Sequence, residues 1–225
     1  MHHKLTPITP FFLSAIHQLR NRRNVIWFLI SGLVFTVISR LFVMLPPFLF
    51  IVMQTTEETV LYSLLIGLCA LLACYSSVFF FSLFLVVSRH IALNEDIMLS
   101  ASLRQAHRSV GRAAWTILLF GLFVFLGLIV LVIPGIVIAI WFFFAPTISV
   151  FESKKVNPFK QSKLLMKGRF FAVFFRLVLV YGCVMLPTYL LSFIHPLLSQ
   201  AWGITSSFFS FVYVLLYMDL LGTAK

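Results

Sequence analysis

The fold is decided by the stretch Trp115–Val150, which reads WTILLFGLFVFLGLIVLVIPGIVIAIWFFFAPTISV and contains no charged residue. A membrane-spanning helix needs about 20 apolar residues, so this run is too long for a single span. Pro134-Gly135 interrupts it, because proline lacks a backbone N–H and its ring clashes with the preceding helical turn. We therefore expect a hairpin, with one span over Trp115–Ile133 and a shorter span over Ile136–Val150. A re-entrant hairpin over the same stretch is the alternative.

Further apolar runs lie on both sides of this stretch. They predict four more spans, over Val25–Leu45, Val60–Val87, Phe170–Phe193 and Ile204–Leu221. The chain is 61% hydrophobic and only 10% charged, whereas soluble domains are about 25% charged. Lipid must therefore solvate much of this surface. The sequence predicts an all-α membrane protein of six transmembrane helices in three hairpins.

The distribution of the basic residues predicts the orientation of the spans. Of the 17 Lys and Arg residues, only Arg40 and Arg176 lie inside an apolar run. The others form patches at Lys4–Arg23, Arg89–Arg112, Lys154–Arg169 and Lys225. The intervening connections contain none, which is the positive-inside pattern of a multi-span membrane protein with both termini in the cytoplasm. Nucleic acid is not an expected partner despite a net charge of +11, because an anionic leaflet accounts for the bases.

This pattern divides the chain into three segments. Residues 1–24 form a basic cytoplasmic interfacial segment, residues 25–221 a six-span membrane domain, and residues 222–225 a short cytoplasmic tail. The first apolar run is too long for the core of a cleavable signal peptide and leads into Pro46-Pro47. We expect it to remain as an uncleaved anchor.

Two of the basic patches show a helical stripe of positive charge. Apolar residues at helical spacing (Leu99, Leu103, Ala106, Val110 and Ala113) lie opposite Arg104, Arg108 and Arg112. This pattern predicts an amphipathic interfacial helix, with its apolar face in the acyl chains and its basic face on anionic headgroups. Lys160, Lys163 and Lys167 form a second stripe, in a helix that Asn157 is expected to cap. A similar amphipathic pattern precedes the first span.

Arg176 and Asp219 are the charged residues inside the last two predicted spans. If these spans fold back near Leu197, the two residues lie at the same depth on neighbouring helices. An intramembrane charge costs roughly 3 kcal/mol on insertion scales and usually has a partner. We therefore expect an ion pair. The alternative is that each side chain extends separately to the interface.

Part of the chain is similar to a known family. The motifs are LVIPGI at residues 131–136, APTI at 145–148, Glu152, and NPFKQSKLLMKGR at 157–169. They resemble those of YciC-like bacterial inner-membrane proteins, and of the membrane domain fused to some glycerophosphodiester phosphodiesterases. The resemblance implies a six-helix membrane protein whose biochemical role is poorly defined. It does not imply phosphodiesterase activity, which belongs to a soluble barrel with metal ligands that this chain lacks.

Motifs for chemistry are sparse. The six acidic residues and six histidines are scattered, and no phosphate-binding glycine loop, Ser/His/Asp pattern or metal-ligand spacing is found. We therefore expect no catalytic residues, no cofactor and no metal. The expected function is that of a non-enzymatic envelope or membrane-homeostasis protein that contacts anionic lipids. A lipid or small-molecule transporter is the alternative. An intramembrane enzyme is a third hypothesis, which only Asp219 and Glu152 support.

Overall fold

The structure is a computed structural model. It describes residues 59–93, 95, 97–153, 155–194 and 202–222, and a few residues between 13 and 37. The N-terminal basic segment, most of the span predicted over Val25–Leu45, the connection that follows it, the turn near Leu197 and the tail after Gly222 lie outside the described residues.

The described part of the chain is helical and contains no strand, which confirms the all-α class. The helices from residue 59 onward are α1 (Thr59–Ala92), α2 (Leu99–Val130), α3 (Val132–Trp141), α4 (Ala145–Phe151), α5 (Pro158–Met166), α6 (Phe170–Ile194) and α7 (Trp202–Leu221).

Within the described ranges, three helical segments are long and apolar enough to cross a bilayer. They are Ser63–Ala92, Leu99–Ile129 and Val132–Phe151, the last being α3 and α4 taken together. Many of their large apolar side chains are exposed, among them Leu64, Leu71, Phe125, Ile129 and Ile133. Contiguous apolar surface of this extent is not stable in water. The chain is therefore a helical membrane protein.

The predicted interfacial helix over residues 99–113 is wrong as a separate element. It is the first part of α2, which runs without a break for 32 residues from Leu99 to Val130. Nothing stops the helix before Trp115, because this segment contains no proline and only one glycine, Gly111. At 1.5 Å per residue α2 is about 48 Å long, which exceeds the hydrocarbon thickness of about 30 Å.

The central hairpin turns at Leu131, three residues before the predicted break at Pro134-Gly135. Leu131 is extended (φ −166°, ψ 146°) and separates α2 from α3. The two helices then approach closely, because a Cβ atom on Gly127 would lie 2.8 Å from the Cα atom of Gly135. Pro134 falls in the first turn of α3, where a missing backbone N–H costs little.

The predicted span over Ile136–Val150 consists of two helices. Residues Phe142–Phe144 form a turn between α3 and α4. Pro146 explains the interruption, since it cannot donate to the carbonyl of Phe142 and its ring would clash there. All six residues from Ala145 to Val150 are buried, so α4 lies inside the protein.

The core is built around the second half of α7. Every residue from Phe211 to Leu220 is buried, and α7 contacts α1 and α6. The ring of Tyr213 stacks on that of Phe144, with centroids 5.2 Å apart, which joins α7 to the start of α4. A helix that is apolar on all sides is either a membrane span facing lipid or is buried in protein, and this half of α7 is buried in protein.

Candidate functional site

The basic face of α2 opens on a cleft. Arg104, Arg108 and Arg112 follow one another at intervals of four residues and therefore lie on one side of the helix. The cleft has a volume of about 540 Å³. Its lining consists of Ser100, Ala101, Arg104, Gln105, Arg108, Ser109, Arg112, Ser149, Val150 and Glu152. Hence α2 forms one wall, and α4 with its C-cap residue forms the other.

The apolar face of this segment packs against protein, which corrects the expectation that it lies in acyl chains. Ala106 and Ala113 are completely buried and Val110 is 5% exposed, whereas Leu99 and Leu103 remain exposed. The contacts of α2 with α1 and α4 cover the small residues of the stripe. This packing sets the rotation of α2 and turns the arginines toward the end of α4.

Arg112 connects the two walls of the cleft. Its Nη1 donates to the backbone oxygen of Glu152 at 2.7 Å, and its Nη2 donates to the backbone oxygen of Val156 at 2.8 Å. Glu152 is the C-cap of α4, where carbonyl groups lack partners within the helix and a cation is favourable. Arg112 therefore links α2 to the loop after α4, in addition to contributing positive charge.

Arg104 and Arg108 are the available cations of the cleft. Both side chains are exposed. Within the described part of the chain, neither makes a hydrogen bond or an ion pair. Guanidinium groups bind phosphate oxygens through paired N–H donors. These two residues can therefore hold an anion that enters the cleft from outside.

Glu152 brings an acidic side chain to this basic cleft. Its Oε1 accepts a long hydrogen bond from the hydroxyl of Tyr217, at 3.4 Å. Among the described residues the carboxylate forms no salt bridge, although three arginines line the same cleft. No side-chain cation of the described ranges is thus bonded directly to this carboxylate.

The second predicted stripe lies apart from the cleft. Asn157 caps α5 as predicted, its Oδ1 accepting from the N–H groups of Phe159 at 3.1 Å and Lys160 at 3.3 Å. Lys160, Lys163 and Lys167 are all exposed, and none lines the cleft. The Nζ atom of Lys163 lies 4.6 Å from the centroid of the Trp141 ring, a cation–π contact. The two basic stripes therefore form separate surfaces.

Arg176 and Asp219 are brought together in the core. Arg176 Nη1 lies 2.9 Å from Asp219 Oδ2, and the two side chains are 5% and 7% exposed. Next to this pair, Nη1 of Arg169 donates to the backbone oxygen of Leu220 at 3.0 Å. Arg176 of α6 and Arg169, in the turn just before α6, thus both bond to the end of α7.

The sequence analysis missed four polar residues of the cleft, namely Ser100, Gln105, Ser109 and Ser149, and did not assign Glu152 to it. A signal existed for three of them, because Ser100 continues the arginine stripe while Gln105 and Ser109 form the adjacent one at the same spacing. Ser149 and Glu152 come from another helix. No local pattern in the sequence links them to α2.

Fold and site together define a helical membrane protein with a basic cleft at one end of its bundle. Among the described residues, no group of three His, Cys, Asp or Glu side chains is placed to hold a metal ion. Comparisons with protein-family models, with curated proteins and with solved structures give no match to this chain.

Proposed function

We propose that this protein is a non-enzymatic, multi-pass protein of the bacterial inner membrane, which holds the phosphate groups of anionic lipids in the Arg104/Arg108 cleft. Its role is in maintaining the envelope or the membrane. Six spans are proposed: the three apolar segments described above, the run over Val25–Leu45, α6 and α7. The absence of basic residues from alternate connections supports cytoplasmic termini.

We also propose membership of the YciC-like family. The support is the set of motifs at residues 131–136, 145–148 and 157–169. Two of these motifs coincide with features that shape the bundle: the turn at Leu131 and the Asn157 cap of α5. In a family that shares these motifs, the turn and the helix cap would help to form the common fold.

The lipid proposal rests on the surroundings of the Arg104 and Arg108 side chains. Both are exposed on a concave polar surface, lack partners among the described residues, and belong to the same helix as the apolar segment Leu99–Ile129. A phosphate bound there would stay attached to acyl chains lying along that helix. Each base near an anionic surface contributes about 1 kcal/mol, and a direct charged hydrogen bond contributes more.

The test is lipid retention by the purified full-length protein in nanodiscs of neutral lipid containing a small fraction of phosphatidylglycerol. Arg108→Gln should reduce retention of the anionic lipid about tenfold, the equivalent of one charged hydrogen bond. Lys155→Gln is the matched control, because Lys155 is exposed and lies outside the cleft. At 0.15 M salt, where screening acts beyond about 8 Å, it should change retention less than about twofold. If the two variants lose anionic lipid equally, the lipid is attracted by the overall surface charge, and the cleft site is refuted.

Lipid translocation is the second candidate function. The interruption of the segment Val132–Phe151 at Phe142–Phe144 favours it, because transporters often use discontinuous helices. Reconstituted protein should then move fluorescent lipids between the leaflets of a vesicle faster than protein-free vesicles do. An unchanged rate would refute translocation and leave lipid binding as the proposed function.

A further inference from the structure

The negative charge of a lipid phosphate accounts for the arginines of the cleft, but it does not account for the carboxylate of Glu152. It is the one acidic residue among those lining the cleft. It weakens the attraction of the arginines for a purely anionic ligand, since like charges in a partly desolvated site disfavour binding. Arg112 does not neutralise this group, because it donates to the backbone oxygen of Glu152.

We propose that the cleft binds an amine-bearing phosphate ester, with the phosphate on Arg104 and Arg108 and the ammonium N–H groups on the carboxylate of Glu152. The ligand class is thus the aminoalkyl phosphodiester of an ethanolamine headgroup. This proposal rests on the proposed function, because it assumes that the cleft binds lipid phosphate. The new element is the identity of the preferred headgroup.

The spacing of the residues suits such a ligand. Arg112 bonds to the backbone of Glu152 at 2.7 Å, and Arg108 lies about one helical turn, or 5.4 Å, further along the same face. The nearest available guanidinium therefore comes from the adjacent turn of the wall that faces Glu152. In ethanolamine phosphate, two carbon atoms separate the amine from the ester oxygen. The hydroxyl of Ser100 lies on the same wall and can donate to a remaining phosphate oxygen, whereas that of Ser109 already donates to the backbone oxygen of Ala106 at 2.8 Å.

The choice between amine and quaternary ammonium follows from hydrogen bonding. A primary ammonium offers three N–H donors to a carboxylate, whereas choline offers none. Charged hydrogen bonds are about twice as strong as neutral ones. The cleft should therefore discriminate between two headgroups that carry the same net charge.

The experiment measures lipid retained by the full-length protein in phosphatidylcholine nanodiscs doped with either phosphatidylethanolamine or phosphatidylglycerol. The native protein should enrich phosphatidylethanolamine over phosphatidylcholine about tenfold. Mono- and dimethylated ethanolamine lipids should be retained progressively less. This series requires no variant and so does not depend on one that folds.

Variants separate the two proposals. Glu152→Gln should bring the ratio of ethanolamine to choline lipid close to one and leave phosphatidylglycerol retention unchanged or higher, whereas Glu152→Asp should keep part of the preference. Arg104→Gln with Arg108→Gln should reduce retention of both doped lipids. If native protein shows no preference along the methylation series, or Glu152→Gln keeps it, the headgroup inference is refuted while the proposed function stands. If the double arginine variant retains both lipids fully, the proposed function is refuted.

A soluble competitor distinguishes a lipid from a free ester. Glycerophosphoethanolamine carries the same headgroup without acyl chains. Failure of millimolar competitor to displace the retained lipid supports a membrane source, and displacement at micromolar concentration would assign the cleft to a soluble phosphate ester instead.

Discussion

Arg176 and Asp219 carry opposite charges on two apolar helices, α6 and α7. Their side chains are buried and joined at 2.9 Å, and Arg169 adds a bond to the carbonyl of Leu220. Removing one partner from a buried pair leaves an uncompensated charge, whereas removing both avoids this cost. These residues therefore act as a connection between α6 and α7, at one end of the bundle.

A double-mutant cycle tests this connection. Arg176→Leu and Asp219→Leu should each lower the unfolding free energy by about 3–5 kcal/mol, and the double variant should lose less than the sum. The coupling energy should fall within about 0.5–3 kcal/mol. Thermal and denaturant unfolding of the detergent-solubilised protein provides the measurement.

Lys155→Gln combined with Asp219→Leu is the control for this cycle. Lys155 is exposed in the loop after α4, so its effect should simply add to that of Asp219→Leu. Strict additivity in the Arg176 cycle as well would show that the two charges act independently.

At the scale of elements, the hairpin of α2 and α3 depends on a close contact between two glycines. A Cβ atom on Gly135 would lie 2.6 Å from Cδ2 and 2.8 Å from the backbone nitrogen of Leu128. The neighbouring backbone of α2 cannot yield as a flexible side chain would. Small residues at such crossings let helices pack closely in membranes.

Gly135→Ala should therefore force α2 and α3 apart and lower the unfolding free energy by about 1–3 kcal/mol, the usual cost of overpacking. Gly121→Ala is the matched control, because Gly121 lies in α2, the helix that Gly135 packs against, with nothing within 4 Å of its added Cβ atom. It should be neutral or stabilising by up to about 1 kcal/mol, since alanine is the better helix former. Equal unfolding curves for the two variants would contradict the close crossing.

At the scale of the whole molecule, the basic patches predict which connections face the cytoplasm. The Glu57–Glu58 connection, the Leu131 turn and the region near Ser199 are free of Lys and Arg within their loops. The cleft and α5, in contrast, belong to the basic patches of the sequence. Positive charge is retained on the cytoplasmic face during insertion, so the cleft should open toward the inner leaflet.

Cysteine labelling checks this orientation after Cys69, Cys74 and Cys183 have been replaced by serine. Thr56→Cys and Ser199→Cys should react with an impermeant thiol reagent in intact spheroplasts. Ser153→Cys, at an exposed position beside the cleft, should react only after the membrane is permeabilised. Reaction of Ser153→Cys in intact spheroplasts would reverse the proposed orientation.

Several features could be predicted from the sequence because they depend on local chemistry. Apolar run length predicted the helices α6 and α7 to within two residues at each end, and an Asn-Pro pair predicted the start of α5. The same depth of Arg176 and Asp219 followed from counting residues back from a turn. Each of these inferences uses only rise per residue, capping and the apolar character of neighbouring residues.

Only the tertiary structure decided how the helices are rotated and what they pack against. The stripe of arginines on α2 could be read from spacing. That it opens on a cleft with Ser149 and Glu152, rather than facing lipid along its length, depends on the packing of α4 against α2. The burial of residues Phe211–Leu220 of α7 likewise has no local signal, because an apolar helix facing lipid and one facing protein have similar composition. Sequence by itself determined that these helices form and which of them are long and apolar enough to cross a membrane, and packing between distant segments determined where the polar groups meet.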